Sequence, residues 1–356
     1  MPSFYNLTVT HLEKTTRDAV VVTLTPEDGG DFSFAPGQYL TFRRDFGEEE
    51  LRRSYSICAG RDDGTLQVGI KRVDGGAFST WANTELQVGD TVQAMPPMGG
   101  FYVPANGVSA PHIVGFAAGS GITPILSILR SELAANPHAN FTLVYGNRNI
   151  NTIMFRDELS DLKDLYLGRL SVMHILTDES PDIDLFQGRI DAQKCAALFH
   201  QWINVESIAV AYLCGPEGMT QAVTQSLHAH GLEPAKIRTE LFASAQPGRA
   251  KIRPKSDAQN SVGVAARVTL GGETRSFTMN SETSLLDAAK DNRIDPPFAC
   301  CAGVCSTCKA KVLEGSVEMA ANHALEDYEV EQGYVLTCQS YVTSEKIVFD
   351  YDQAGH

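Results

Sequence analysis

The sequence predicts three consecutive folding units: an antiparallel β-barrel, an α/β domain with a parallel sheet, and a small α+β domain. Short strands separated by turn signals fill residues 1–108, and apolar runs alternate with helical segments over residues 109–242. A β-hairpin and a cysteine cluster occupy residues 262–356. Residues 243–261 are polar and basic, which is typical of a linker between the second and third units.

The first unit shows the period of two that half-buried strands require. The run LQVGIK at residues 66–71 alternates apolar and polar positions and ends at Lys71. The strand RSYSIC at residues 53–58 places Arg53 and Tyr55 on one face and Ser56 on the other. An Arg can bind a phosphate, a Tyr can pack on a planar ring, and a Ser can reach a ring nitrogen. An ordinary amphipathic strand is the alternative interpretation.

A glycine turn follows that strand run. The segment GGAFS at residues 75–79 can begin a helix whose free N–H groups point towards a pyrophosphate. In this segment we single out Gly76, Phe78 and Ser79 as candidate binding residues.

Two loops in the second unit follow buried strands. Apolar runs at residues 113–117, 141–145, 170–176 and 208–213 predict a parallel, doubly wound sheet. The loop GSGITP at residues 119–124 begins a helix and can offer N–H groups to a pyrophosphate, although it lacks the third glycine of the common fingerprint. The segment CGP at residues 214–216 follows another strand, at the sheet edge where ligands bind. A tight turn and a buried cysteine are the respective alternatives.

The cysteine spacing is the most specific signal in the chain. Cys300, Cys305 and Cys308 have the C-x4-C-x2-C spacing, and Cys338 follows the third after 29 intervening residues. This is the spacing of plant-type 2Fe–2S ferredoxins, in which four thiolates hold two irons. A structural zinc site is the alternative, but zinc favours two paired short spacings. The adjacent Cys301 is out of register and is interpreted as a non-ligand.

The acidic charge balance limits the classes of partner. With 29 Lys and Arg against 43 Asp and Glu, the 356 residues have a net charge of −14, which argues against nucleic acid or an anionic membrane. Residues 262–356 hold seven basic and 14 acidic residues, a net charge of −7, so this unit is expected to bind a basic protein surface. Solvated surface charge is the alternative.

We expect a cytoplasmic location, since the N-terminus has no signal-peptide pattern and no apolar stretch is long enough to span a membrane.

Five motifs together resemble the ferredoxin–NADP reductase superfamily. They are RSYS at residues 53–56, GGAFS at 75–79, PMGGF at 97–101, GSGITP at 119–124 and CGP at 214–216. With its C-terminal 2Fe–2S unit, nearly the whole chain is similar to the reductases of multicomponent oxygenases. The segments ELRRSYSIC, YGNR, MFR and GYVLTCQ, which begin at residues 50, 145, 154 and 333, resemble more narrowly the reductases that serve phenylacetyl-CoA ring epoxidation.

This resemblance implies FAD, a 2Fe–2S cluster of the β-grasp ferredoxin type, NADPH (or NADH), and an oxygenase component as the electron acceptor. The residues expected to hold the flavin are Arg53, Tyr55, Ser56, Lys71, Gly76, Phe78 and Ser79. Those expected at the nicotinamide dinucleotide are Gly119, Gly121, Thr123, Pro124, Arg148, Cys214, Gly215 and Pro216. Ser56, Cys214, Glu240 and Phe242 are expected at the reacting groups, where the Phe242 ring would cover the flavin.

The residue after the second strand bears on the choice of coenzyme. An Asp or Glu there would bind a ribose hydroxyl and favour NADH, whereas Arg148 can pair with a 2′-phosphate. We therefore expect NADPH, with an ordinary surface Arg as the alternative. A hydride is expected to pass to the flavin, and single electrons to pass through the cluster to the oxygenase. Alternatives are a reductase for a steroid, alkane or aromatic hydroxylase or a hybrid-cluster protein, and a redox sensor without turnover.

Overall fold

The computed structural model describes residues 4–27, 30–47, 49–104, 108–179, 183–242, 262–325 and 327–354. The linker predicted at residues 243–261 lies outside the described residues. The described residues form an antiparallel barrel, a parallel α/β sheet and a mixed α+β unit in chain order, which confirms the predicted fold class. The unit boundaries at residues 108, 242 and 262 stay predictions.

Six antiparallel strands form the barrel. They are β1 (Tyr5–Thr16), β2 (Ala19–Pro26), β3 (Tyr39–Phe46), β4 (Glu49–Ser56), β5 (Leu66–Lys71) and β6 (Thr91–Ala94). Their order is β4-β3-β6-β1-β2-β5, and a bridge between Ile57 and Val68 joins the two outer strands and closes the barrel. Helix α1 (Ala77–Thr84) contributes Phe78 and Trp81 to the core that the inward faces of the strands form.

Five parallel strands form the second unit. They are β7 (His112–Ala118), β8 (Asn140–Asn147), β9 (Leu170–Leu176), β10 (Ile208–Gly215) and β11 (Ile237–Leu241), in the order β11-β10-β7-β8-β9. Helices α2 (Ile122–Ala135) and α3 (Arg156–Leu165) pack on one face, and α4 (Ala192–Gln201) and α5 (Glu217–Ala229) pack on the other. The first four strands match the predicted apolar runs. Strand β11 was not predicted, because this edge strand has no continuous apolar run.

The order of these strands reverses between β7 and β10. From β7 the chain adds β8 and β9 on one side, then returns to add β10 and β11 on the other. Open α/β sheets bind ligands at such a switch point, outside the carboxyl ends of the strands. The glycine loop follows β7 and the CGP segment follows β10, so the topology brings the two predicted loops together.

The third unit contains a mixed sheet and a separate strand pair. The sheet consists of β12 (Val262–Leu270), β13 (Glu273–Asn280), β14 (Lys309–Glu314), β16 (Tyr334–Leu336) and β18 (Lys346–Asp350). The pair is β15 (Val317–Met319) with β17 (Ser340–Val342), and the helices are α6 (Leu285–Asp291) and α7 (Asp327–Glu331). Gly271 and Gly272 have φ of 62° and 75°, which the two-residue turn between β12 and β13 requires.

The two contacts that the barrel makes with its neighbours differ in kind. Ala19 and Phe101 of the barrel lie in one buried cluster with the side chains under α2 and α3, so the first two units share a core. The contact with the third unit is smaller, and its fully buried members are Tyr39, Met95, Met98, Ala299 and Cys305. No helix among the described residues is long and apolar enough to cross a membrane.

Candidate functional site

The four predicted cluster ligands form two sulfur pairs. The Sγ atoms of Cys300 and Cys305 lie 3.1 Å apart, and Cys308 is hydrogen-bonded to Cys338. Within the described ranges, no group of three or more His, Cys, Asp or Glu side chains is arranged around a single metal ion. Two pairs of thiols suit two irons better than one tetrahedral zinc, so this donor set fits a 2Fe–2S cluster.

In the loop around the first sulfur pair, Cys300 and Cys305, the backbone packs closely against a neighbouring segment. Gly303 has φ of 73°, and a Cβ atom there would lie 2.8 Å from the carbonyl oxygen of Ala321. The Cys305 thiol and backbone N–H groups, including that of Ala302 at 3.4 Å, hydrogen-bond the Cys300 sulfur and lower its pKa. Such donors stabilise a thiolate, which is the form that binds iron. Cys301 is exposed and belongs to neither pair.

The glycine loop and the CGP segment touch at the switch point. A Cβ atom on Gly121 would lie 2.1 Å from the carbonyl oxygen of Cys214 and 3.2 Å from its sulfur. A Cβ atom on Gly215 would lie 2.5 Å from Met219 and 3.1 Å from Ala118. Gly121 therefore meets the backbone of the CGP segment at a distance that only glycine allows, and Gly215 packs tightly against side chains that would have to move for a larger residue.

Two cations lie beside this glycine loop. The Lys71 ammonium lies 3.4 Å from where a Cβ atom on Gly119 would be, although Lys71 was predicted with the flavin residues. Burial, and then the charge of Arg148, lower the pKa of Lys71. The positive charges of Lys71 and Arg148 repel each other, and free N–H groups at the N-terminus of α2 lie beside them. A bound anionic phosphate would offset this repulsion.

The predicted flavin elements of the barrel also meet. The Tyr55 and Phe78 rings have centroids 5.6 Å apart, which joins strand β4 to the first turn of α1, directly after the glycine turn. Arg53 is exposed beside them, so its guanidinium is accessible to a ligand. The Ser79 hydroxyl is buried, accepting from the N–H of Val73 and donating to the carbonyl of Gly76. Ser79 therefore shapes the turn through its side chain.

Two other predicted residues are likewise buried in the protein. The Thr123 hydroxyl donates to the carbonyl of Ser120 at 3.0 Å, and its methyl group packs against Gly69 of strand β5. Pro124 is buried in the first turn of α2. The side chains of Thr123 and Pro124 therefore hold the glycine loop in place, and the loop's backbone faces the switch point.

Glu240 lies next to Cys214 at the same sheet edge. The two residues are paired in register between β10 and β11. The Oε2 atom of Glu240 is out of contact with solvent and has no hydrogen-bond partner, and burial raises the pKa of its carboxyl to about 8. Burial, and then the nearby Glu240, raise the pKa of the Cys214 thiol. Phe242 is half-buried against the core shared by the first two units.

Tyr39 connects the barrel to the cysteine loop, and sequence reasoning missed it. Tyr39 is paired in register with Ser56, and its hydroxyl lies 3.3 Å from Ser306 Oγ and 3.0 Å from Thr307 Oγ1. Its ring packs with Cys305 and Ala299 of the third unit. No local motif marks Tyr39, because its position follows from the β3–β4 register and from the contact between units.

Family models assign a cofactor to each unit. An oxidoreductase FAD-binding domain matches residues 6–102, an oxidoreductase NAD-binding domain matches residues 116–225, and a 2Fe-2S iron-sulfur cluster binding domain matches residues 268–343. The chain is 39% identical, over its whole length and 99% of the relative, to one of the subunits of 1,2-phenylacetyl-CoA epoxidase from Escherichia coli (strain K12). The chain belongs to the oxygenase reductases.

Other oxygenase reductases are more distant. The ferredoxin reductase component of 3-ketosteroid-9-alpha-monooxygenase from Rhodococcus rhodochrous is 30% identical over 96% of this chain and 94% of that protein. Phthalate dioxygenase reductase shares the fold with a TM-score of 0.59 and 23% identity, and 98% of each chain is covered. This oxygenase reductase is thus a flavin- and NAD-binding oxidoreductase with a 2Fe–2S domain.

Proposed function

We propose that this oxygenase reductase passes electrons from NADPH through FAD and the 2Fe–2S cluster to an oxygenase that epoxidises the ring of phenylacetyl-CoA. The observation that supports this order is the position of Tyr39, which is paired in register with Ser56 of the barrel and packs with Cys305 of the cluster loop. The substrate class rests on the 39% identity to the phenylacetyl-CoA epoxidase protein.

The residues expected at the reacting groups set the charge around them. When bound, a flavin takes two electrons together from a reduced nicotinamide and releases them singly, as a one-electron cluster requires. Burial keeps Cys214 a neutral thiol, so it forms an uncharged wall for the nicotinamide. With a pKa of about 8, the Glu240 carboxyl holds a proton at neutral pH beside it. Ser56 offers its hydroxyl from the barrel face, and the Phe242 ring covers the flavin.

The nucleotide is held by the glycine loop and by the cations beside it. The backbone of Gly119 and Gly121 binds the pyrophosphate at the N-terminus of α2, with Gly215 and Pro216 at the neighbouring loop. Arg148, directly after β8, pairs with the 2′-phosphate of NADPH. On the barrel, Arg53 and the backbone at Gly76 bind the phosphates of FAD, and Tyr55 packs near its ring system.

The partner is an oxygenase component with a basic docking face. The third unit has a net charge of −7 over residues 262–356, and charge complementarity speeds the encounter of electron-transfer partners. We place the reductase in the cytoplasm, where the eight free cysteines stay reduced.

Rapid anaerobic mixing with NADPH tests the proposal. The flavin absorbance should bleach first, the cluster band should follow, and addition of a phenylacetyl-CoA oxygenase with its substrate should reoxidise both. Cys305→Ser should keep NADPH-driven dye reduction but lose electron delivery to the oxygenase, because one cluster ligand is missing. Cys301→Ser is the matched control and should retain both activities. Equal loss of both activities in Cys305→Ser would contradict the order, and delivery to a steroid oxygenase alone would contradict the substrate class.

A further inference from the structure

Arg52 is a buried cation at the contact between the barrel and the ferredoxin-like third unit. It lies on β4, one residue before the flavin motif, and its side chain is only 4% exposed. Its guanidinium donates to Asp295 Oδ1 at 2.9 Å and to the carbonyl of Pro296 at 3.4 Å across the contact. On its own strand it donates to Glu50 Oε1 at 2.8 Å. Arg52 therefore ties two units together through charge-assisted hydrogen bonds.

Two aromatic rings also contact this guanidinium. Its carbon lies 4.2 Å from the ring centroid of Phe298 and 5.1 Å from that of Phe4. Phe298 packs in turn against the buried group that contains Cys308 and Cys338. The cation–π contact thus reaches from the flavin barrel to the side chains beside the second sulfur pair.

The residues that Arg52 binds lead directly to the first cluster ligand. Asp295 is five residues before Cys300, and two prolines between them limit the freedom of this segment. Ala299, next to that ligand, packs with Tyr39 and Cys305 at the same contact. Holding Asp295 and Phe298 therefore also holds the cysteine loop against the barrel.

The contact of the barrel with the nucleotide unit is more extensive than its contact with the third unit. The contacts of Arg52 therefore matter more for the position of the third unit. The barrel and the nucleotide unit share an extensive core, so their relative position does not depend on one side chain. The contacts described between the third unit and the barrel are the small buried group around Tyr39, the hydrogen bonds of the Tyr39 hydroxyl and the contacts of Arg52. Electron-transfer rates depend on the distance between the two groups, so the anchor that sets this contact also affects the rate.

We propose that Arg52 is a positioning residue that docks the cluster loop on the flavin barrel through Asp295 and Phe298. The inference rests on the proposed function, since it assigns Arg52 to the step between flavin and cluster. The contacts described for Arg52 are with Glu50, Asp295, Pro296 and the two rings, and none is with the glycine loop at residues 119–124, so we expect the reduction of the flavin by NADPH to be independent of Arg52.

Arg52→Met tests this role, because Met keeps an unbranched side chain between the two rings but removes the charge and all the hydrogen bonds. In anaerobic stopped-flow with NADPH, flavin reduction should keep its rate, while the following cluster reduction should slow about tenfold or more. Hydrogen–deuterium exchange should become faster across residues 295–308 and should not change in the shared core under α2. Asp295→Asn should act in the same direction but more weakly, since Asp295 is 47% exposed and the buried Arg52 keeps its ion pair with Glu50. Arg52→Lys should restore part of the rate.

Lys346→Met is the matched control, because Lys346 pairs only with the exposed Glu314 of its own unit among the ion pairs described, and it should behave as the wild type. Unchanged cluster reduction and unchanged exchange in both Arg52→Met and Asp295→Asn would overturn the proposal. So would an equal slowing of the flavin and cluster steps. If Arg52→Met does not fold, Asp295→Asn decides. If the wild-type cluster is never reduced by NADPH, the proposed function fails, and the exchange measurement still decides the docking role.

Discussion

Tyr39 packs between residues of the barrel and of the third unit, and its environment keeps it neutral. Burial and the neighbouring Cys305 raise the pKa of its phenol, and the hydroxyl is engaged by Ser306 and Thr307. A neutral ring at this place excludes water between the flavin face and the cluster loop without adding a charge. A dry and rigid contact lowers the reorganisation that an electron transfer requires.

The buried carboxyl of Glu240 is expected to make the stability of the protein depend on pH. Burial raises the pKa of this carboxyl from 4.5 to about 8, so between these values the unfolded chain releases a proton that the folded chain keeps. The unfolded state then binds fewer protons, and the wild type loses stability as pH rises. Glu240→Gln cannot titrate, so its Tm relative to the wild type should rise from about pH 5 to about pH 8 by about 5–10 °C. A Tm difference that does not change with pH would contradict the burial of this group.

The position of Arg148 directly after β8 predicts a preference for NADPH over NADH. Arg148→Ser should lower kcat/KM for NADPH about 10–100-fold, since a charge-assisted hydrogen bond to a phosphate is lost. The value for NADH, which has no 2′-phosphate, should not change. Arg156→Ser is the control, because Arg156 is an exposed residue paired with Asp157 on α3. A wild-type enzyme with higher kcat/KM for NADH would show the assignment of Arg148 to be wrong.

At the scale of single elements, the ends of β7 and β10 decide the nucleotide site. Both strands are buried runs whose loops are held at contact distance, because Gly121 and Gly215 lack side chains. Helix α2 then begins directly at the loop, which directs its free N–H groups to the switch point. The site is thus built mainly from backbone, and it depends on the absence of Cβ atoms.

Gly121→Ala should therefore damage this site. The new Cβ atom would lie 2.1 Å from the Cys214 carbonyl oxygen, so the loops must separate, at a cost of about 1–3 kcal/mol in unfolding free energy. The Kd for NADPH should rise as well, which titration calorimetry can measure. Gly218→Ala in α5 is the matched control, since nothing lies within 4 Å of its Cβ position, and it should be neutral or slightly stabilising. Equal effects of the two substitutions would count against the contact.

At the scale of the whole molecule, the negative charge is concentrated where electrons leave. Half of the net charge of −14 lies on residues 262–356. The contact with the barrel instead uses a buried cation and a small apolar group, which salt screens less than exposed charges. We therefore expect the cluster unit to be held to the barrel and to the oxygenase by different kinds of interaction.

This difference predicts that salt slows electron delivery to the oxygenase but has little effect on cluster reduction. Raising ionic strength from about 0.05 M to about 0.5 M should slow electron delivery to the oxygenase about tenfold, because screening removes the attraction between exposed charges. Cluster reduction by saturating NADPH, an internal step, should change little. Stopped-flow measurements at each salt concentration separate the two steps. Delivery that is independent of salt would argue against charge-steered docking.

Several features of the fold and the site were predictable from local sequence. The strand period, the glycine loop and the strand–helix alternation depend on neighbours within a few residues, so they predicted the barrel and the parallel sheet. Strand β11 escaped prediction because it is short and lies at an edge. The buried hydroxyls of Ser79 and Thr123 show a related limit, since the sequence cannot tell a ligand-binding side chain from one that shapes its own turn.

From the amino-acid sequence alone came the fold class and the three cofactors, which the family models confirm, because both rest on spacing or periodicity along the chain. The four cysteine ligands and the two nucleotide loops rest on the same kind of signal and stay predictions. Only the tertiary structure decided that Tyr39 and Arg52 join the flavin barrel to the cluster loop, and that Lys71 lies beside Gly119. Those contacts join residues far apart in the chain, and they follow from strand register and from the packing of one unit on another. No local sequence pattern predicts strand register or the packing of one unit on another. The contacts between the cofactor-binding units can therefore be identified only in the folded molecule.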